Sequence, residues 1–423
     1  MINVQFPGNS INVITSTILN LFHSLTASSD INITLIQKKM WNIAIQSQIS
    51  SYSNNRLDNN IYKTVQPFNL IFTLFVSSKF KIRNRYIFPC DKIYQIVIFI
   101  VNIFFFTWSL CNVISFMLND NVKYGDKIYC LSIIFSSAFY FIDYLILIIN
   151  NIFYSHTNIA LIMKIQDITR AININKSFRS YINWNFISLF ISLAISLLTI
   201  IWFLNFYISF ADVSIDIMIV VFDVNLIYGI RILVLFNKYF DVWIESVYKM
   251  DNQQNNEEDC NKLVKLYRDI LEAYKLFTAI FTVLIFFRTI DLFMRGLIYL
   301  YLYFIDFKYS HVEEEIHNYT IIATLIVGLD WMIKNIIIIS AICMQCEKFQ
   351  MHIEEAESAC IQLVMKRDCP KSNKYLYKRV LQYNHLFTKM SAYGFFTFDA
   401  KLPMPLLGLL TNYIIVLLQF VFL

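Results

Sequence analysis

Seven apolar stretches, each long enough to cross a lipid bilayer as an α-helix, dominate this sequence. An α-helix rises about 1.5 Å per residue, so about 20 apolar residues cross the roughly 30 Å hydrocarbon core. The expected spans cover residues 93–117, 128–153, 185–206, 214–236, 273–304, 319–344 and 403–423. The predicted fold class is therefore an all-α, polytopic membrane protein with seven transmembrane helices.

Composition agrees with this fold class. Of the 423 residues, 57% are hydrophobic and 15% are charged, against about 25% charged in ordinary soluble domains. A transmembrane β-barrel would need many short alternating segments between turns, a pattern that this chain lacks. The formal net charge of +5 does not indicate a nucleic-acid partner. Membrane lipids are the expected surroundings, because the apolar spans must lie in a bilayer. No Walker loop, GxSxG or HExxH motif is present, so the chain is not expected to be an enzyme.

Basic residues alternate between the connecting segments and predict the orientation. Residues 1–92 carry 9 Lys or Arg, 154–184 carry 4, 237–272 carry 5 and 345–402 carry 9, whereas the alternate connections carry 2, 0 and 1. Because basic loops stay on the cytoplasmic side, the N-terminus is predicted to be cytoplasmic and the C-terminus extracellular. This orientation is the inverse of a G-protein-coupled receptor.

The predicted spans and the charge pattern divide the chain into four regions. Residues 1–92 form a cytoplasmic leader whose apolar stretch, 65–78, is too short to span and is expected at the membrane interface. Residues 93–344 hold the first six spans, 345–402 form a cytoplasmic helical linker, and 403–423 form the seventh span.

Two amides share one face of the seventh span. On a 3.6-residue period, Asn412, Ile415 or Val416, and Gln419 fall on one stripe. An amide facing lipid loses its hydrogen bonds to water, so both should face protein or a water path. They either hold helices together within one bundle or, where several subunits meet, line a pore with the apolar residue between them as its constriction.

The closing residues resemble the TYhhhhhQF motif that ends insect gustatory receptors. Tyr413, the five apolar residues 414–418, Gln419 and Phe420 match it, and 392–403 (AYGFFTFDAKLP) is similar to the segment that precedes it. One departure is Asn412 before the tyrosine, with Thr411 one position earlier. The resemblance implies a homo- or heterotetrameric, ligand-gated cation channel in the plasma membrane, with Gln419 and Phe420 at the gate and Tyr413 packing against its neighbours. It implies no cofactor.

Within that family, Ile414 follows the tyrosine where many receptors resembling the sugar group carry Glu. The resemblance therefore favours a small-molecule tastant of the bitter or plant-secondary-compound class. A sugar-responsive gustatory receptor and an insect odorant receptor are the alternatives. A G-protein-coupled receptor is disfavoured by the inverted charge bias, and a transporter by the lack of internal repeats.

The resemblance also places the ligand site in the outward half of the bundle formed by spans two to six, which forms the ligand-binding region. Aromatic and polar side chains in that region are the candidate contacts: Tyr140, Trp202, Asp216, Asp223, Asp291, Arg295, Tyr299 and Trp331. Such a mixture suits a small organic ligand.

Arg288, Asp291 and Arg295 lie three and four residues apart, so they share one face of the fifth span. Charges within a membrane span are costly and face the interior of the bundle. They either contact a ligand or form an ion-pair network that fixes helix packing, and the second interpretation is favoured.

A cysteine pair, a glycosylation sequon and one arginine are three further features of the sequence. Cys343 and Cys346 form a CxxC without a second pair at zinc spacing, so buried structural cysteines are expected rather than a metal site. Asn318 begins an Asn-Tyr-Thr glycosylation sequon that the orientation places outside. Arg231, near the inner end of the fourth span, is expected to snorkel to the interface.

The pore interpretation predicts that Gln419→Ala changes ion selectivity or basal opening, because it removes one amide from the pore stripe. Two-electrode recordings from oocytes measure both, with Gln382→Ala in the linker as the control. A Gln419→Ala channel with the selectivity, conductance and gating of the wild type would refute the stripe.

Overall fold

The computed structural model describes residues 55–75, 77–117, 124–172, 175–205, 210–249, 257–310, 315–365 and 370–422. Residues 1–54, which make up most of the predicted leader (1–92), lie outside the described part of the chain. The helices are α1 (Asn59–Leu74), α2 (Lys92–Met117), α3 (Tyr124–Phe153), α4 (Ser155–Ile172), α5 (Asn175–Asn205), α6 (Phe210–Lys249), α7 (Glu257–Ser310), α8 (Glu315–Val364), α9 (Lys371–His385) and α10 (Pro403–Phe422). A hairpin of β1 (Phe80–Arg83) and β2 (Tyr86–Pro89) lies between α1 and α2.

The seven predicted spans fall on α2, α3, α5, α6, α7, α8 and α10, which confirms the all-α, polytopic class. Among the described residues, α5, α6, α7 and α8 contain stretches long and apolar enough to cross a bilayer. A fifth candidate is the pair α3 and α4, which meet at a 68° bend, and shorter apolar stretches lie in α2 and α10.

Three helices are much longer than a bilayer requires. The lengths are 40 residues for α6, 54 for α7 and 50 for α8, against about 20 needed to span. Their extensions occupy the segments that the charge count assigns to the cytoplasm. In α8 the extension buries one face at helical spacing, through Phe349, Ile353, Ala356, Cys360 and Leu363, so it packs on the bundle.

Aromatic rings hold these extensions together. Tyr274 of α7 stacks on Phe349 of α8 with centroids 3.9 Å apart and planes 8° apart. Phe240 of α6 meets Phe349 edge-on at 5.0 Å. Offset-stacked and edge-on pairs of this kind are stabilising beyond their buried area. The region therefore has a packed core of its own.

Cys343 and Cys346 are both buried, as the sequence predicts. The Cys346 Sγ lies 3.9 Å from the Met390 Sδ, in the segment that follows α9. No group of three or more His, Cys, Asp or Glu among the described residues could hold a metal ion.

The sequence predicts only a connection over residues 154–184, and the structure places helix α4 within it. Its apolar side chains, including Leu161, Ile162 and Ile165, are buried. Lys164 joins it to α7 through Asp269 at 2.8 Å and Glu272 at 2.6 Å. The segment is more polar than the seven predicted spans, so its packing on α7, and not its composition, identifies it as part of the bundle.

Helix α1, which holds most of the predicted interfacial stretch, packs against α5 and α6. Phe68 and Phe72 lie 5.2 and 5.8 Å from the ring of Tyr228 on α6. The hairpin that follows turns at Asn84 and Arg85, whose φ angles of 52° and 67° match a two-residue type I′ turn.

Lys79, between α1 and β1, is fully buried. Its Nζ lies 5.1 Å from the ring centroid of Phe281 and 5.9 Å from those of Phe72 and Tyr228, and it has no hydrogen-bond partner in the described part of the chain. The three ring faces favour an ammonium group, whereas burial lowers the pKa of Lys79 to about 7.

Replacing this amine should alter the pH dependence of stability. Because the folded-state pKa of Lys79 is about 7 and its ordinary value is 10.5, the unfolded chain binds more protons between these values. Wild-type stability should therefore rise with pH across this window. In Lys79→Met this contribution should vanish, leaving a smaller rise. Thermal unfolding of the detergent-solubilised protein from pH 6.5 to 10 measures the difference.

The matched control is Lys63→Met on the exposed face of α1, which should keep the wild-type slope. Equal slopes for wild type and Lys79→Met would contradict a lowered pKa of Lys79 in the folded state.

Candidate ligand site and pore helix

A cluster of six charged side chains lies inside the bundle, where α3, α6, α7 and α8 meet. Five of them are at least 90% buried, and Lys334 retains 17% side-chain exposure. Three are cations and three are carboxylates: Arg288, Arg295 and Lys334 with Asp143, Asp223 and Asp291. Equal numbers of opposite charges let the cluster exist in a low-dielectric interior, where an unpaired ion would be prohibitively costly.

Arg288 of α7 joins three helices. Its Nη2 lies 2.5 Å from the Asp223 Oδ1 on α6, and its Nη1 lies 3.0 Å from the Asp291 Oδ2 on α7 itself. The same Nη1 lies 3.4 Å from the Asp143 Oδ2 on α3. Lys334 adds α8 to the network through the Asp223 Oδ2 at 2.7 Å.

Arg295, seven residues beyond Arg288 on α7, pairs with Asp291 and lies 3.4 Å from the Asp143 Oδ2. Its guanidinium lies between two aromatic rings, 3.8 Å from the centroid of Tyr140 and 4.3 Å from that of Trp331. The planar guanidinium stacks on aromatic faces while keeping its N–H groups in its own plane. Asp291 therefore pairs with both arginines, as the predicted ion-pair network requires.

Tyr299 completes an aromatic wall beside Arg295. Its hydroxyl lies 3.5 Å from that of Tyr140, and its ring meets Trp331 edge-on at 5.9 Å. Gly328 on α8 packs beside this wall, where an added Cβ would lie 3.4 Å from the Cβ of Tyr299.

Several buried donors in the cluster have no hydrogen-bond acceptor among the described residues. These are the Nε and Nη1 of Arg295, the Nε of Arg288 and the Nε1 of Trp331. A buried donor without an acceptor costs about 1–3 kcal/mol. Stacking offsets part of this cost for Arg295, but it does not supply acceptors. Arg295 and Trp331 thus have donors that no acceptor in the described part of the chain satisfies.

The structure brings six of the eight predicted ligand residues into this one region: Tyr140, Asp223, Asp291, Arg295, Tyr299 and Trp331. Trp202 and Asp216 lie on α5 and α6, but their side chains are outside the described part of the chain. Sequence reasoning left Asp143, Arg288 and Lys334 out of the ligand set. A carboxylate within the apolar run of α3 was a signal that would have identified Asp143.

Helix α10 packs along α7 and touches α8. Leu410 is buried, near Gly296 of α7, and the Tyr413 ring meets Phe293 of α7 edge-on at 5.5 Å. The other face is open within the single chain: Ile415 is 51% and Val416 44% exposed.

Asn412 and Gln419 lie on this exposed face. Neither amide makes a hydrogen bond to the described part of the chain. Within the described residues, neither amide therefore joins α10 to a neighbouring helix. The side chain of Phe420 lies outside the described part. So does that of Asn318, whose backbone is in the first turn of α8.

Comparison with known proteins identifies the family. The model of the family described as 7tm chemosensory receptor matches residues 51–423. The chain belongs to this family. It is a multi-pass membrane receptor family and not a family of enzymes.

Two solved structures share the fold of this chemosensory receptor. The insect olfactory receptor OR5 from Machilis hrabei aligns with a TM-score of 0.56 and 12% identity, covering 86% of this chain and 100% of OR5. OR5 in complex with eugenol aligns with a TM-score of 0.53 and 14% identity over the same shares. No curated protein matches the sequence.

The charge balance of the cluster predicts the effect of Asp223→Asn. This change leaves three cations facing two carboxylates, and breaking a buried ion pair in this way costs about 3–5 kcal/mol. The apparent unfolding temperature of the solubilised receptor should therefore fall.

The matched double variant Asp223→Asn with Lys334→Gln restores equal charge and should recover part of the loss. If the double variant unfolded at a lower temperature than Asp223→Asn alone, charge balance would not be what stabilises the cluster.

Proposed function

We propose that this chemosensory receptor is a ligand-gated, non-selective cation channel of the gustatory type. It opens when a small organic tastant, a bitter or plant secondary compound, binds within the bundle. Four subunits, identical or mixed with other gustatory receptors, assemble in the plasma membrane with their α10 helices around the pore. The N-terminus is cytoplasmic and the C-terminus extracellular.

The observation that carries the proposal is the open polar stripe of α10. An otherwise apolar helix presents Asn412 and Gln419 on a face that nothing in the described chain covers. In lipid this face would leave both amides without partners. A water-filled path shared by several subunits satisfies them, and the exposed Ile415 and Val416 between them form its constriction.

The buried cluster supports the position of the ligand. Arg295 and Trp331 hold donors without acceptors beside the aromatic faces of Tyr140 and Tyr299. A few convergent polar groups among aromatic surfaces suit a small organic molecule. OR5, which shares the fold, has been solved in complex with eugenol.

Helix α7 offers a direct connection between ligand and pore. Phe293, which contacts Tyr413 of α10, lies on α7 between Asp291 and Arg295 of the cluster. A ligand opens the channel only if it binds the open arrangement more tightly than the closed one. A rotation or shift of α7 would alter the charged cluster and the contact with Tyr413 together. Helix α7 can therefore link ligand binding to the opening of the pore.

The gustatory type rests on the Tyr413-to-Gln419 spacing. An odorant receptor channel is the second candidate, because the structures that share the fold are those of an olfactory receptor. A panel of bitter compounds, sugars and volatile odorants, each tested for evoked current, separates the two.

The central test is current in oocytes that express the chain alone, with G-protein signalling blocked. Bitter or plant-derived compounds in the panel should evoke a cation current that survives the block. Currents abolished by the block would overturn the channel proposal.

The same recordings test the ligand site through Trp331→Phe. This change keeps a ring over Arg295 and removes only the indole N–H, so the half-maximal concentration of an active compound should rise about fivefold, the equivalent of one neutral hydrogen bond. Trp184→Phe, at an exposed position on α5, should leave potency unchanged. Equal potency for wild type and Trp331→Phe would exclude this donor from ligand contact.

A further inference from the structure

The β1–β2 hairpin carries cations and exposed aromatic rings on one of its two faces. Directly opposed residues of antiparallel strands project to the same side of a sheet, and so do residues two apart on one strand. The register pairs Arg83 with Tyr86. It also pairs Lys81 with Phe88, so all four side chains project from one side, here called the outer face.

Residues 55–57 extend the outer face as a short third segment. Two backbone hydrogen bonds, of 2.7 and 3.0 Å, join this segment to residues 85–87. Arg56 is thereby bridged to Tyr86 in antiparallel register. Arg56, Tyr86 and Arg83 therefore form a row across three extended segments, with an aromatic side chain between two cations.

The opposite face of the hairpin packs on the protein. Phe80 and Ile87 are buried, and both strands contact α4. On the outer face, by contrast, Tyr86 is 39% and Phe88 44% exposed, and both arginines of the row are exposed. The outer face therefore points away from α4.

The arginines here carry charge that no carboxylate in the described part of the chain balances. They are two from the row and one from the turn: Arg56, Arg83 and Arg85. The carboxylates that flank these segments in sequence have other partners. Asp91 pairs with Lys81, and the Asp58 Oδ2 lies 2.6 Å from the Nε of Arg170. The three arginines are therefore suited to an anion from outside the chain.

Contact with the start of α2 places the hairpin beside the membrane. The Lys81 Nζ lies 5.3 Å from the ring centroid of Tyr94, in the first turn of α2. Ile93, Ile96 and Ile100 of the same helix are more than half exposed, as a helix surrounded by lipid requires. The hydrocarbon therefore begins close to the hairpin, at the depth where amphipathic aromatic rings and basic side chains are enriched.

We propose that the outer face binds anionic phospholipid headgroups of the cytoplasmic leaflet, the leaflet following from the orientation in the proposed function. The lipid phosphates lie on Arg56, Arg83 and Arg85, since the guanidinium fork matches phosphate. The rings of Tyr86 and Phe88 lie at the boundary with the acyl chains. A soluble phosphate would leave these rings in water, whereas a lipid surface satisfies cations and rings together.

Native mass spectrometry of the full-length protein in detergent micelles tests this proposal. With phosphatidylserine and phosphatidylcholine of identical acyl chains added, the wild type should retain phosphatidylserine preferentially. Arg83→Gln should reduce that preference about fivefold, the contribution of one cation near an anionic surface. The triple variant Arg56→Gln, Arg83→Gln, Arg85→Gln should reduce it at least tenfold. The matched control Lys374→Gln, an exposed cation of α9, should behave as the wild type does.

A triple variant with the wild-type preference, or an equal loss in Lys374→Gln, would overturn the proposal. Glycerophosphoserine, the headgroup without acyl chains, should not displace the lipid, and displacement at equal affinity would show that the face binds a soluble phosphate instead. The measurement uses neither tastant nor current. A failure of lipid binding is therefore distinguishable from a failure of the channel proposal.

Discussion

The balanced ion network inside the bundle is the constraint on which the other features depend. A charge in a membrane interior is tolerated only when it is paired. Arg288 reaches carboxylates on α3, α6 and α7, and Lys334 brings in α8 through Asp223. Satisfying these pairs together sets the depth and rotation of four helices relative to one another. The aromatic wall and the contact between α7 and α10 then follow from that arrangement.

Helix α7 is the element common to every functional region. Its middle carries both arginines of the cluster, Phe293 meets Tyr413 of α10, and Tyr274 stacks on Phe349 in the predicted cytoplasmic core. A continuous helix transmits displacement along its length because its backbone hydrogen bonds resist bending. The proposed coupling of ligand to pore and the packing of the inner end therefore depend on the same element.

Much of the candidate site was predictable, since charges and aromatic rings within apolar runs must face the interior. The family resemblance gave the region that contains Asp223 and Trp331, and the argument from charges within a span predicted that Asp291 pairs with both arginines. It could not find the part of Asp143 in the cluster, because which carboxylate meets which arginine depends on helix rotation. It also missed α4, whose polar composition resembles a loop and whose helix is stabilised by Lys164 on α7 and by buried apolar contacts.

The sequence alone determined the class, the seven spans, the charge asymmetry and the amide stripe of the last helix. Each of these follows from local length, composition or period, which need no knowledge of neighbours. Only the tertiary structure decided the ion-pair partners, the stacking of Arg295 between Tyr140 and Trp331, the burial of Lys79 and the row of cations on the outer face of the hairpin. These depend on contacts between residues far apart in the chain, and such contacts exist only once the helices have packed.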